Sequence, residues 1–299
     1  MARQNDWTLE HLSQSMLGKF MTCRQQYEYR YIQRLPEPKG LWAPSGQTVH
    51  KTLYDFHQHP TMHIDEIMAL AEAYWDEESD GIEYYNFKGE RETTDVVENT
   101  KQDTFRWVEQ YINAVRDGDF PCVVFDGPPE RDEEYPIEGT AHIARGYIDA
   151  FVKNIINLQT GEMIDACDDG RIHILDFKSA SKKFNAWNQA RADSELQPTV
   201  YGYIMGKKAI TMHYIIVEKT ASHQKPSLKH ITTYRDAADY TQYEKMVKMF
   251  ENGSDRVNKH ELGLFYPEPE FGWGRFCGKM CSYKDTCYKE NFAHRDTST

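Results

Sequence analysis

Two stretches, Gly146-Tyr147-Ile148-Asp149-Ala150-Phe151-Val152 and His173-Ile174-Leu175-Asp176-Phe177-Lys178, decide how this chain is read. Each is a short run rich in β-branched and aromatic residues, the composition of a strand on a half-buried pleated surface. Each run leads into an acid, Asp149 in the first and Asp176 in the second. If the two are neighbouring antiparallel strands, both carboxylates can face one cation. Side chains alternate across a strand, so Asp176 and Lys178 share a face while Phe177 packs on the other. That leaves the Phe177 carbonyl as a third oxygen ligand.

This donor set suits a hard divalent ion. Mg²⁺ and Mn²⁺ prefer carboxylate, carbonyl and water oxygens, and Mg²⁺ usually takes only one or two protein carboxylates. Such an ion supplies what phosphodiester hydrolysis lacks at neutral pH, an acidified water and a counter-charge for the phosphate. Lys178, on the same face, would orient or help deprotonate the water and stabilise the charge that develops. Asp-x-Lys at a strand end is also what a solvated strand terminus looks like, so the surrounding sequence has to decide.

Before these strands the chain is mostly helical. Ser13 or Ser15 can cap a helix with Met16, Leu17, Phe20, Tyr27 and Tyr31 at helical spacing, ending before Pro36. A second helix starts near Pro44-Ser45 and carries Val49, Leu53 and Phe56 on one face, with His50 beside it. Stretches 64–78 and 93–116 show apolar residues three and four apart. The pattern then changes to strands at 122–125, 135–143, 146–153 and 171–177, with 165–170 as a hairpin connection. A helix at 194–205, strands at 209–218 and 229–234 and a helix at 237–251 follow. The order predicts a mixed α/β fold with a central mixed sheet. Residues 1–120 form its amino-terminal helical region, 121–255 its core and 256–299 a cysteine-bearing clasp, all in one integrated domain.

Composition narrows the function classes. With 39% hydrophobic and 27% charged residues, the chain has the make-up of a globular protein. No apolar run is long enough to span a membrane and the polar start does not resemble a signal peptide, so a cytoplasmic location is expected. The net charge of −12 excludes a protein coated in basic residues for indiscriminate nucleic-acid binding. A local basic groove is compatible with it: Lys19, Arg24, Arg30, Arg34, Lys39 and Lys51 stand against only Glu28 and Glu37 in their stretch. Residues from Phe20 to Arg34, with Lys182, Lys183 and Trp187, could track a DNA strand by phosphate contact and base stacking.

In order along the chain, these residues resemble the RecB-like branch of the PD-(D/E)xK nucleases, which includes the four-cysteine CRISPR-associated exonucleases and many phage exonucleases. Ser15 to Cys23 and Tyr27 match the amino-terminal cysteine helix, Gly46 to His50 the Gly-x-x-x-His helix, and Asp149 the strand acid. Asp176 and Lys178 match the acid-x-lysine, and Gln197 and Tyr201 the Gln-x-x-x-Tyr helix. The resemblance implies a PD-(D/E)xK restriction-endonuclease-like core and a Mg²⁺- or Mn²⁺-dependent DNA exonuclease. His50, Asp149, Asp176 and the Phe177 carbonyl would hold the ion, with Gln197 and Tyr201 supporting the site. The implied substrate is DNA, single-stranded or with free ends, in a bacterial or phage-infected cell. The implied setting is recombination, repair or phage DNA metabolism, beside a helicase, a recombinase or a CRISPR adaptation partner. One departure is Ile148 where Pro usually precedes the first acid. Glu133 or Glu134 could add a further acid.

Six cysteines are present. Cys122 and Cys167 stand apart and read as ordinary residues. Cys277, Cys281 and Cys287 lie close together, and close cysteine spacing in a cytosolic protein points to a metal. The resemblance supplies Cys23 as the fourth ligand and implies a 4Fe–4S cluster that staples the two ends of the chain. Structural Zn²⁺ is the alternative. The spacing Cys277-x3-Cys281 is one residue longer than the family usually shows.

Other readings rank lower. There is no Walker-type phosphate loop or Gly-rich dinucleotide turn, so the chain carries no nucleotide-driven motor of its own. His50, His57, His59 and His63 form no paired zinc-hydrolase motif. The acids Asp165, Asp168 and Asp169 lack the ligand rhythm of an EF-hand and read as a solvated turn. Two rivals keep the site in view: a structure-dependent endonuclease, and a DNA-binding accessory protein that retains the fold without the chemistry.

Overall fold

A computed structural model describes residues 11–37, 39–86, 90–127, 131–181, 186–219, 226–258 and 281–291. Ser13 opens the first helix, its hydroxyl accepting from the Met16 amide at 3.3 Å and so meeting one of the donors a helix start leaves unpaired. Helix α1, Gln14–Thr22, stops at Cys23, whose backbone is extended. The chain resumes as α2, Arg24–Tyr27, and a π-helical turn, Glu28–Ile32. The single helix expected here is therefore broken at the cysteine. Leu17, Phe20 and Tyr27 are buried, and Met16 and Tyr31 pack against the same core.

Helices α3 (Trp42–Gln58), α4 (Ile64–Ser79) and α5 (Thr94–Arg116) follow. Val49, Leu53 and Phe56 are the buried face of α3, as their spacing predicts. Ser45 Oγ and Thr104 Oγ1, 2.8 Å apart, tie α3 to α5 inside the core. His57 adds a second tie. The Val123 amide donates to its Nδ1 at 3.2 Å, so Nε2 carries the proton toward the Tyr111 hydroxyl at 2.8 Å. Burial lowers the His57 pKa to about 3 and keeps the ring neutral, which makes it a structural residue.

The strands are β1 (His11–Leu12), β2 (Cys122–Phe125), β3 (Arg131–Pro136), β4 (Ile143–Ile148), β5 (Ala150–Ile156), β6 (Met163–Asp165), β7 (Ile172–Ser181), β8 (Ile210–Lys219) and β9 (Ser227–Arg235). A small sheet runs β1-β4-β3. The larger runs β2-β5-β7-β8-β9, with β6 also on β5. Within the larger sheet β7 and β8 are parallel and the other neighbours antiparallel, so the sheet is mixed. Ile174, Met212, Tyr214 and Ile216 face a core shared with α1, α7 (Gln197–Ile204) and α8 (Ala237–Asn258). Leu175, Phe177, Ile215 and Val217 face the core under α3 and α5. Helices thus cover both faces of the sheet, and the fold is mixed α/β as expected.

Four local expectations change. Residues 135–143 are not a strand but the end of β3, the turn and the start of β4; Pro136 lacks an amide proton to extend the ladder. Residues 146–153 are two strands in two different sheets, meeting at Asp149. The 165–170 loop is not a hairpin turn. Both β6 and β7 pair with the edge of β5 opposite β2, and the loop is an excursion between them. The helix expected at 194–205 is α7, which starts only at Gln197, and a separate helix, α6 (Gln189–Ser194), precedes it with Arg235 between the two. This buried guanidinium donates to the carbonyls of Asp193 at 2.8 Å and Glu195 at 2.9 Å, and to Thr199 Oγ1 at 2.9 Å. It satisfies carbonyls that a helix end leaves open and pins the start of α7 to β9.

Candidate active site

The acids meet because of strand register. Ala150 pairs with Leu175 and Phe151 with Ile174, so one step further along the antiparallel ladder Asp149 stands opposite Asp176. Directly opposed residues place their Cβ atoms about 4.5–5.5 Å apart on one face. Asp149 is the residue at which the chain leaves the small sheet and enters the large one. Asp176 lies in the middle of the long strand β7 rather than at its end. Beyond Leu175 the edge of β7 has no β5 partner, which leaves the backbone around Phe177 beside the acids unpaired by that strand.

Lys178, two residues on, shares the Asp176 face, and its Nζ lies 2.6 Å from Asp176 Oδ2. Gln197, the first residue of α7, binds all three neighbours at once. Its Nε2 donates to Asp176 Oδ1 at 3.0 Å and to the Tyr201 hydroxyl at 2.8 Å, and its Oε1 accepts from Lys178 Nζ at 3.0 Å. These partners fix which end of the amide is which. The Tyr201 hydroxyl in turn donates to the Tyr147 carbonyl at 2.6 Å. Pro198, preset for a first helical turn, starts α7 at this point. Gly146 lets α7 approach: a Cβ there would meet Tyr201 Cε1 and Ile204 Cδ1 at 3.2 Å.

His50 arrives from α3 on the other layer, its Nδ1 3.4 Å from Asp149 Oδ2 and its ring edge-on to Phe177. Burial works against a charged His50, but the hydrogen bond and charge of Asp149 outweigh it and move its pKa upward. Burial opposes ionisation of Asp149 as well. His50, a hydrogen bond with Asp176 and the charge of Lys178 more than offset it, and the carboxyl lies below its usual range. Asp176 goes the other way. Burial pushes it up to about 6, Lys178 pulls it back, and the nearby Asp149 charge adds to the rise. Two acids this close resist ionising together, so Asp176 holds its proton to a higher pH than an ordinary carboxyl does.

A divalent cation would relieve the repulsion between the two carboxylates. Asp149 Oδ2 and Asp176 Oδ2 are both buried, with His50 Nδ1 at 3.4 Å from the first and the Lys178 ammonium at 2.6 Å from the second. Two buried carboxylates side by side are costly unless further positive charge compensates. The residues therefore fit such an ion, with two carboxylates and an imidazole on one spot.

Sequence reading and structure part at several residues. Phe20, Tyr27 and Trp187 are buried in the core, so they are not surfaces for base stacking. Lys19 and Arg30 both pair with Glu37, at 2.8 and 2.9 Å, and Lys182 and Lys183 lie outside the described residues. Glu134 pairs with His11 on the small sheet, and Glu133 stands across from Gly146. Neither is tied to the two acids by a contact among the described residues. Cys281 accepts a hydrogen bond from Gln26 at 3.1 Å and lies close enough to Cys23 for the two thiols to affect each other. Cys287 is buried beside Tyr29 and Tyr283, and Cys277 lies outside the described residues. The Tyr147 carbonyl was missed, because a backbone acceptor leaves no trace in the side-chain pattern.

The pattern that defines the PD-(D/E)XK nuclease superfamily matches residues 11–288, and the chain belongs to that superfamily. None of the curated proteins matches it. The crystal structure of SSO0001 is similar at 11% identity, over 93% of this chain and 85% of that one, with a TM-score of 0.34. Among the described residues, no helix is long and apolar enough to cross a membrane.

Proposed function

We propose that this protein is a Mg²⁺- or Mn²⁺-dependent DNA exonuclease that acts on DNA ends in recombination, repair or phage DNA metabolism. The observation that carries the reading is the opposition of Asp149 and Asp176 across one antiparallel register, with the Lys178 ammonium at 2.6 Å. A binding protein needs no such cluster, since two adjacent buried acids repel phosphate unless a cation sits between them. Asp149, Asp176, His50 and the Phe177 carbonyl would hold a divalent ion, which when bound would supply an acidified water and a counter-charge for the phosphate. Lys178 orients the attacking water and donates toward the charge that builds on the phosphate. Gln197 holds Lys178 and Asp176 in one geometry, and Tyr201 anchors Gln197 to the strand that carries Asp149.

A time course on end-labelled linear DNA and on covalently closed circular DNA tests it with Mg²⁺ or Mn²⁺ present. Linear DNA is expected to release short labelled products while the circle persists. Nicking or linearisation of the circle at a comparable rate would establish the endonuclease alternative, and inertness toward both would leave a binder.

The four-cysteine clasp is the second part of the proposal, supported by Cys281 lying against Gln26 and near Cys23. Anaerobically purified protein is expected to be brown and to hold roughly four irons per chain. One zinc per chain and no visible absorption would replace the cluster with structural Zn²⁺.

A further inference from the structure

On the opposite face of the sheet from Asp176, Cys167, His173 and His213 bring one thiol sulfur and two ring nitrogens within 4.8 Å of one another. His173 is the second residue of β7 and His213 the fourth of β8, on adjacent parallel strands. Cys167 reaches them from the loop between β6 and β7. It holds a left-handed backbone at φ +49°, and its amide is bonded by Asp165 Oδ1 at 2.9 Å. For a residue other than glycine that conformation costs roughly 1 kcal/mol or more and needs surrounding contacts to hold it. Along β7, His173 lies three residues, about 10 Å, before Asp176 and points the other way.

The outer contacts of the two histidines are those of metal ligands. The far nitrogen of His173, Nε2, meets Asp169 Oδ1 at 2.9 Å; the far nitrogen of His213, Nδ1, meets His230 Nε2 at 3.0 Å. If each far nitrogen donates its proton outward, the facing nitrogens, His173 Nδ1 and His213 Nε2, are both bare lone pairs only 2.8 Å apart. Two lone pairs at that distance repel unless something positive lies between them. A carboxylate or other acceptor on the far nitrogen is the usual support of a histidine that binds a metal. The metal-free arrangement of the same contacts is a neutral relay, in which His230 Nε2 donates to His213 Nδ1 and His213 Nε2 to His173 Nδ1; the thiol within 4.8 Å of both rings is what sets a ligand cluster apart from it. Asp165 and Asp169, bonded to the Cys167 amide and to His173 Nε2, add negative charge that favours a cation.

We infer that Cys167, His173 and His213 form a second metal site, for Zn²⁺, with Asp169 and His230 orienting the two histidines and solvent in the fourth position. A thiolate with two imidazoles selects a borderline-soft transition ion over Mg²⁺. The geometry is close to ready: two Zn–N bonds of about 2.0 Å at a tetrahedral angle place the nitrogens roughly 3.3 Å apart. The ion would pin the 166–171 loop to β7, the strand that carries Asp176 and Lys178. This inference does not depend on the nuclease reading.

The test uses the full chain, wild type against Cys167→Ser and His173→Gln, purified without metal supplementation and then titrated with Co²⁺ anaerobically. Co²⁺ bound here gives a thiolate-to-cobalt charge-transfer band and intense visible bands, while Co²⁺ among carboxylates gives neither. The wild type is expected to show one equivalent of this signal more than Cys167→Ser, so a contribution from the Cys23 clasp cancels in the difference. His173→Gln is expected to weaken the affinity by at least tenfold. Superimposable titrations of wild type and Cys167→Ser would overturn the site. Should Cys167→Ser fail to fold, alkylation of Cys167 in the wild type replaces it: protection by added Zn²⁺ supports the site, and alkylation at an unchanged rate overturns it.

Discussion

Asp176→Asn and Lys178→Ala will each slow DNA cleavage by roughly 10³-fold or more, the scale on which single charge-stabilising or proton-transferring groups act. Melting temperatures should stay within a few degrees of the wild type. Asp176 is buried with its pKa raised to about 6, so its ionised form is a cost to the fold, and an isosteric amide removes that cost while still accepting from Gln197 Nε2. The Lys178 side chain is 27% exposed, so the ion pair it loses is partly screened and worth little to stability. Gln197→Ala should fall between, losing about 10- to 100-fold, because it acts through the geometry of Asp176 and Lys178. Raising the Mn²⁺ concentration should restore part of that loss but none of the Lys178→Ala loss. Wild-type rates in Asp176→Asn or Lys178→Ala, measured on end-labelled DNA, would remove the site from these residues.

Gly202→Ala will destabilise the protein by about 1–3 kcal/mol, the range for overpacking a filled core. A Cβ at Gly202 would lie 1.9 Å from the Tyr240 hydroxyl and 2.7 Å from its Cζ. Tyr240 is fully buried and donates to the Lys208 carbonyl at 2.5 Å, so it cannot step aside without giving up that bond. Thermal unfolding should show a fall of roughly 3–10 °C for a chain of this size. Adding Tyr240→Phe should recover part of the loss, since it removes the nearest clashing atom. Gly18→Ala is the control. Nothing lies within 4 Å of its Cβ position in the middle of α1, and the better helix former there should raise stability by up to about 1 kcal/mol. Equal melting temperatures for Gly202→Ala and the wild type would mean that α7 and α8 are packed more loosely than this contact implies.

Much of the architecture was legible because period and capping are local. Ser13 and Thr93 cap the helices they were expected to start or adjoin, and the face Val49, Leu53, Phe56 is buried. The errors fall where a long-range contact overrides local propensity. Nothing local separates Ile148 from Ala150, yet one belongs to the small sheet and the other to the large one. Nothing near Glu195 says that Arg235, on a strand formed later in the chain, will set the start of α7 after a separate α6. Phe20 and Trp187 could not be told from surface aromatics, since helical spacing and loop composition leave burial open. Cys167 read as an ordinary residue because its partner His213 lies on a strand separated from it by two helices.

The sequence by itself determined the succession from helices to a strand-rich core, the shared face of Asp176 and Lys178, and the residue types able to hold a hard divalent ion. Those follow from alternation along a single strand, which needs no knowledge of neighbours. Only the tertiary structure decided that Asp149 stands opposite Asp176, that Gln197 bridges Asp176, Lys178 and Tyr201, and that a thiol meets two histidines on the other face. Register between strands and the docking of α7 are set by burying apolar faces across the whole core. No short stretch of the chain contains that information.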